Sequence, residues 1–209
     1  PQTEFLKAFE VIIQSGAILA VISLYFKTVI SDTKLIKNLI LSFIPTAVIG
    51  FVLYKTIKNN FFENFYMQIF IFAVIGIVFI LFEKWNKKRE TKKGLSELTA
   101  KEAIVVGIAQ AISVFPGVSR AGAVILALMF FKVDRREAAK YSFLLAVPTL
   151  ISAGALDVIK SRQVLFENSQ NIPLLAIGFI FSFFSAVFVV KWFVSFLQKK
   201  DLTIFGWYR

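Results

Sequence analysis

Five long apolar runs, at residues 11–26, 35–54, 65–82, 141–159 and 173–197, limit this chain to the folds available in lipid. A helix needs roughly 20 residues to cross the hydrocarbon core, with about 17 as a practical minimum. The first run reaches that length when Phe9 and Glu10 join it, giving a span of 9–26. No water is available in hydrocarbon to satisfy the backbone, so each run must bond internally as a helix. Hydrophobic residues make up 57% of the chain and its mean hydropathy is +0.74, which makes lipid the solvent for most of it. The expected fold is an all-α integral membrane protein, a polytopic helical bundle forming one transmembrane domain over residues 1–209.

Two further apolar runs, 104–115 and 121–131, break the pattern. Each holds about a dozen residues, and at 1.5 Å per residue such a helix covers only ~18 Å, too little to cross. Between them stand Pro116 and Gly117, a helix breaker followed by a flexible position. One kinked helix is the alternative, and loop charge decides against it. Lys84, Lys87, Lys88, Arg89, Lys92 and Lys93 precede the first short run, while Lys132, Arg135, Arg136 and Lys140 follow the second. Both flanks are therefore cytoplasmic, and 104–131 is expected to be a re-entrant helical hairpin. With that topology about 16 Lys and Arg fall in inner loops and about five in outer segments, as the positive-inside rule requires. Trp85, Trp192 and Trp207 are expected as interface anchors. Thr99 and Glu102 fit a capping box that would start the first short helix near Ala100.

The net charge of +11 would suggest nucleic-acid binding in a soluble protein. Here the basic residues sit in short loops between spans, so no nucleic-acid partner is expected. Cysteine and histidine are both absent from the sequence, which removes disulfides, thiolate nucleophiles and Ser-His mechanisms from this segment. The chain opens on Pro1 rather than Met and stops after Trp207-Tyr208-Arg209, so further sequence is expected beyond both ends. No cleavable signal peptide is visible.

The hairpin tip reads Phe115-Pro116-Gly117-Val118-Ser119-Arg120-Ala121-Gly122. An arginine at membrane depth costs at least ~2.5–3.5 kcal/mol on the most lenient scale, which makes Arg120 a functional candidate. Guanidinium offers a planar, permanently charged fork for phosphate oxygens. Ser119 stands where the second half-helix begins, able to cap it or to present its hydroxyl to a ligand. That helix start also aims N–H groups and the positive dipole end into the same space. Gly117, Val118 and Gly122 complete the expected phosphate-binding set, with backbone able to approach closely at the glycines. The plainer alternative makes Ser119 only a cap and pairs Arg120 with an internal carboxylate. Glu10 and Gln14, one helical turn apart, and Gln110 are candidates to line the same cavity, or else interhelical polar contacts.

Several ordered stretches resemble the undecaprenyl-diphosphate phosphatase family, also known for bacitracin resistance. Phe9-Glu10-Val11-Ile12-Ile13-Gln14-Ser15-Gly16-Ala17-Ile18-Leu19-Ala20-Val21 is similar to that family's FEVVIQLGAILAV stretch. Residues 98–123, LTAKEAIVVGIAQAISVFPGVSRAGA, resemble its second signature, which usually ends PGxSRSGxT. Ala138-Ala139-Lys140-Tyr141-Ser142-Phe143-Leu144-Leu145-Ala146-Val147-Pro148 and the closing Phe205-Gly206-Trp207-Tyr208-Arg209 fit as well. Ala121 and Val124 depart from the pattern, each replacing a hydroxyl residue. The family's first signature, with glutamates, serines and a histidine upstream of FEVVIQ, has no match in this chain.

The resemblance implies a multi-pass enzyme of the bacterial inner membrane that hydrolyses undecaprenyl diphosphate to undecaprenyl phosphate and phosphate on the outer side, recycling the carrier for cell-wall synthesis. It also implies an inverted repeat with two re-entrant hairpins, of which this chain carries one. Arg120 and Ser119 are the expected catalytic residues, with Arg120 neutralising charge on the transferring phosphoryl group. A divalent cation, Mg or Ca, is an expected companion with no assignable ligand. Expected partners are the polyprenyl diphosphate, membrane lipids and a second copy in a homodimer. The rival readings are a polyprenyl-phosphate flippase or transporter and a non-catalytic lipid-binding homologue.

Overall fold

A computed structural model describes residues 4–61, 64–87, 93–167 and 172–209, with helix side chains described except at 4–5, 7–8, 54–60, 153 and 155–167. The helices are α1 Glu4–Ser31, α2 Thr33–Phe61, α3 Phe65–Asn86, α4 Ala100–Ala111, α5 Arg120–Phe130, α6 Arg135–Glu167, α7 Ile172–Lys199 and α8 Thr203–Tyr208. Short polar side chains set the starts of five of them. Asp32 Oδ1 accepts the Leu35 N–H at 2.9 Å, Asn64 Oδ1 that of Met67 at 3.0 Å, and Asp134 Oδ1 that of Arg136 at 2.9 Å. Thr99 and Glu102 form the expected capping box at Ala100, and Ser119 caps α5.

Four stretches are long and apolar enough to cross a membrane: Phe9–Ser31, Thr33–Leu53, Phe65–Asn86 and Ile172–Lys199. They cover four of the five expected spans, and the remaining one, 141–159, lies within the 33-residue α6. Large apolar side chains point outward on these helices: Phe51 is 88% exposed, Phe181 70% and Phe188 72%. Such surfaces are tolerable only against lipid. This is an all-α integral membrane protein.

The chain gathers into two compact units: Pro1–Ile30 with Ala146–Phe193, and Ser31–Leu145 with Val194–Arg209. In the first, α1 crosses α7 at small residues. A Cβ on Gly16 would sit 2.6 Å from the Phe179 carbonyl oxygen, and one on Gly178 would sit 2.7 Å from the Phe9 ring. Ser182, one turn beyond Gly178, donates its hydroxyl to the Ile13 carbonyl. Lipid tails supply no hydrophobic drive for helix association, so close backbone approach and hydrogen bonds hold such pairs together.

In the second unit α2 lies along α4 by the same means. Asn38, Ser42 and Thr46, spaced one turn apart, donate to the carbonyls of Leu98 (3.0 Å), Ala103 (2.6 Å) and Gly107 (2.8 Å). Gly107 permits the approach, since a Cβ there would lie 2.1 Å from the Ser42 carbonyl oxygen. The break expected at Pro116 is present: α4 tightens into a 3₁₀ turn at Ile112–Val114, and α5 starts afresh at Arg120. The two ends of this helix pair meet. Lys93 N–H donates to the Lys132 carbonyl at 3.1 Å, and Asp134 N–H to the Lys93 carbonyl at 2.9 Å. Lys93 Nζ also pairs with Glu102 at 2.6 Å, fastening the base.

A buried carboxylate holds the C-terminal end of α3. Glu83, fully buried, accepts Arg135 Nη2 at 2.7 Å and the Leu202 N–H at 2.9 Å, while Arg135 also donates to the Lys200 carbonyl at 3.0 Å. From Leu202 the short α8 runs back along α3. Gly76 and Gly206 make that contact possible, because a Cβ on Gly76 would sit 2.8 Å from the Gly206 carbonyl oxygen.

Candidate functional site

The segment between α4 and α5 is a tight turn pressed against α3. Gly117 has φ +92°, a conformation L side chains rarely adopt, and a Cβ there would lie 2.9 Å from the Gln68 carbonyl oxygen. Only glycine fits. The Val118 N–H closes the turn on the Phe115 carbonyl at 3.2 Å. Gln68 and Phe72 lie within the first two turns of α3, whereas Glu83 and its basic surroundings lie at the other end. Along that helix, Gln68 and Glu83 are ~22 Å apart at 1.5 Å per residue. The tip therefore lies ~22 Å along α3 from the basic base of its own helix pair.

Ser119 accepts the Gly122 N–H at 3.2 Å through its hydroxyl oxygen, and its carbonyl takes the Ala123 N–H at 2.9 Å. A hydroxyl accepting one hydrogen bond still has its own proton to donate, so capping leaves Ser119 able to contact a phosphate oxygen. Arg120 follows as the first residue of α5, half-buried. Its charge stands at the positive end of the helix dipole, where an anion is favoured twice over. Gly122 packs on Phe79, whose Cζ would lie 2.2 Å from a Cβ at that position. Ala121 is half-buried in the first turn of α5, and Val124 is fully buried one turn on.

Gln110, fully buried on α4, donates Nε2 to Thr46 Oγ1 at 3.0 Å and so serves as an interhelical contact with α2. Its Oε1 has no hydrogen-bond partner among the described residues. Glu10 and Gln14 lie on α1 in the first unit, both exposed. Among the described residues no group of three or more His, Cys, Asp or Glu is gathered to hold a metal ion.

Sequence reading did not single out Arg209 as a site residue. Its Nη1 donates to the Gly117 carbonyl at 2.7 Å, and its guanidinium carbon stands 4.4 Å from the centre of the Phe72 ring and 5.6 Å from that of Phe79. A second arginine thus reaches the turn that carries Ser119 and Arg120. The available signal was an arginine ending a short apolar stretch, Thr203–Tyr208, where hydrocarbon burial makes a cation costly.

Helices long and apolar enough to span, together with a capped turn carrying Ser119 and Arg120 between two half-length helices, define a polytopic membrane protein with a cationic turn. The sequence model of the family described as bacitracin resistance protein BacA matches residues 1–209, and the chain belongs to that family. It is 43% identical over 207 residues to an undecaprenyl-diphosphatase of Aquifex aeolicus (strain VF5), covering 99% of this chain and 80% of that protein. Undecaprenyl-diphosphatases of Sulfurihydrogenibium sp. (strain YO3AOP1) and Campylobacter hominis (strain ATCC BAA-381) are 41% and 38% identical, each covering 100% of this chain and 81% of the relative.

Proposed function

We propose that this protein hydrolyses undecaprenyl diphosphate to undecaprenyl phosphate and inorganic phosphate, recycling the lipid carrier of cell-wall synthesis in the bacterial inner membrane. The observation that carries the reading is the capped turn at 116–122, with Arg120 opening α5 and Ser119 in hydrogen-bond contact with its first turn. A diphosphate bears charge that neither lipid nor a neutral pocket will accept. Arg120 binds its oxygens through a planar fork, and Ser119 donates its hydroxyl proton to the same group. As water attacks the terminal phosphorus, the bond from that phosphorus to the bridging oxygen breaks, and the terminal group leaves as inorganic phosphate with the water's oxygen. Charge grows on the departing undecaprenyl phosphate, and fixed donors there lower the barrier. Family membership and the names of the relatives support the same chemistry.

The pair α4–α5 is read as a re-entrant hairpin entered from the cytoplasmic face. The backbone pairing of Lys93 with Val133 and the basic residues on both flanks support this, because one face must then hold both ends. The contact of Gly117 with Gln68, near the end of α3 opposite its Lys-rich terminus, supports a site opening toward the outer side. The carrier lipid enters from the surrounding bilayer, and the assembly is proposed as a homodimer.

Replacing Arg120 by Lys keeps the charge and removes the fork. Phosphate release from undecaprenyl diphosphate, measured on the purified full-length protein in detergent, is expected to fall about 10²- to 10³-fold in kcat. Undiminished release in Arg120→Lys would refute the assignment. Lipid binding without release in the native protein would favour the non-catalytic homologue instead.

A further inference from the structure

Gly117 carries the one carbonyl at the apex of the turn, and what holds that carbonyl determines where the next three residues point. It is taken by Arg209 Nη1 at 2.7 Å, a charge-assisted bond across 92 residues of sequence. We propose that Arg209 is a positioning residue for the phosphate-binding turn: bonded to the Gly117 carbonyl and laid over Phe72, its guanidinium fixes the peptide that presents Ser119 and Arg120. The inference rests on that turn being the phosphatase site.

Three features of the packing make the arrangement specific. Gly76 and Gly206 bring α8 against α3, and a Cβ on Gly76 would lie 2.9 Å from Arg209 Cβ, so the side chain is threaded along the face that meets the turn. Phe79 lies under both ends of the turn's support, 5.6 Å from the Arg209 guanidinium and in contact with Gly122. Displacement of Arg209 therefore reaches the turn at its apex, Gly117, and at the first turn of α5. Finally, a guanidinium stacks by its face while donating from its edge, which an ammonium does not do. With Arg209 withdrawn, the Gly117 carbonyl would lose its charge-assisted partner, and the left-handed peptide would no longer be held.

The test compares Arg209→Ala, Arg209→Lys and Trp207→Ala, the last at an exposed position of the same helix, in the full chain in detergent. Phosphate release from undecaprenyl diphosphate gives kcat and KM, and hydrogen exchange reports on residues 115–119. Arg209→Ala is expected to lower kcat about 10- to 100-fold with KM within about threefold, and to speed exchange at Val118, whose N–H closes the turn. Arg209→Lys, retaining one donor, is expected to recover part of kcat and of the protection. Trp207→Ala should change neither. A kcat within twofold of native in Arg209→Ala, or unchanged exchange at Val118, overturns the proposal. Loss of protection spread equally along α3 also overturns it, since that marks a general packing role. If the native chain released no phosphate, the phosphatase reading would fail, and exchange at Val118 would still decide the role of Arg209.

Discussion

Gly117→Ala is the smallest change that strikes the turn without touching a proposed ligand side chain. Its cost has two parts. Holding an L residue at φ +92° costs roughly 1–2 kcal/mol. The added methyl would also sit 2.9 Å from the Gln68 carbonyl oxygen and 3.2 Å from the Phe72 nitrogen. Both atoms are helix backbone, so the turn rather than α3 must move, and overpacking of this kind costs about 1–3 kcal/mol. Together these give about 2–5 kcal/mol, divided between lost stability and a displaced Ser119 and Arg120. At 1.36 kcal/mol per decade, half of that cost appearing in the barrier slows phosphate release about 5- to 70-fold. Gly50→Ala is the matched control: its nearest neighbour would be Val114 Cγ2 at 3.7 Å, and Ala is favoured over Gly in a helix by up to ~1 kcal/mol. Thermal unfolding in detergent and steady-state phosphate release should separate the two variants. If Gly117→Ala melts and turns over like Gly50→Ala, the turn is not held against α3 as described.

Two further perturbations probe the base of the unit. Glu83→Ala removes the only acid bonded to Arg135 among the described residues and also releases the Leu202 N–H, so a loss of about 3–5 kcal/mol is expected in denaturation experiments. Burial raises the Glu102 carboxyl's pKa, but the Lys93 ammonium and the Thr99 hydrogen bonds outweigh this and hold it below its ordinary value of 4.5. A depressed carboxylate stabilises the fold above the unfolded value and loses that contribution as pH falls through the folded one. Unfolding monitored from pH 6 downward should therefore show a loss of stability setting in below about 4.5, and Glu102→Gln should abolish that part; an identical pH profile in the variant would contradict the Lys93–Glu102 clasp.

What was legible in the sequence was local. Pro116-Gly117 announced a break because proline lacks an N–H and glycine tolerates positive φ, and both effects act within a few residues. Thr99 with Glu102, and Ser119 at the head of a short apolar run, announced helix starts for the same reason. The stripe of Asn38, Ser42 and Thr46 at one-turn spacing was visible in an apolar helix, but nothing in it named α4 as the partner. Contacts joining distant segments were not readable: Arg209 to Gly117, Glu83 to Arg135 and Leu202, and Gly76 against Gly206. Each depends on α8 turning back along α3, and a six-residue helix is too short to show a periodicity. Trp207, expected as an interface anchor, is 77% exposed on α8 beside Tyr208 at 83%.

The central claim is that the 116–122 turn receives a lipid diphosphate from the outer side of the membrane. These 209 residues contain no cysteine, so Val118→Cys places a single thiol among them. Labelling by a membrane-impermeant maleimide added outside intact cells, and its slowing by undecaprenyl diphosphate in purified protein, is the predicted result, with Lys132→Cys reacting only from the cytoplasmic side. Labelling of Val118→Cys from the cytoplasmic side alone, or at a rate indifferent to the lipid diphosphate, would contradict it.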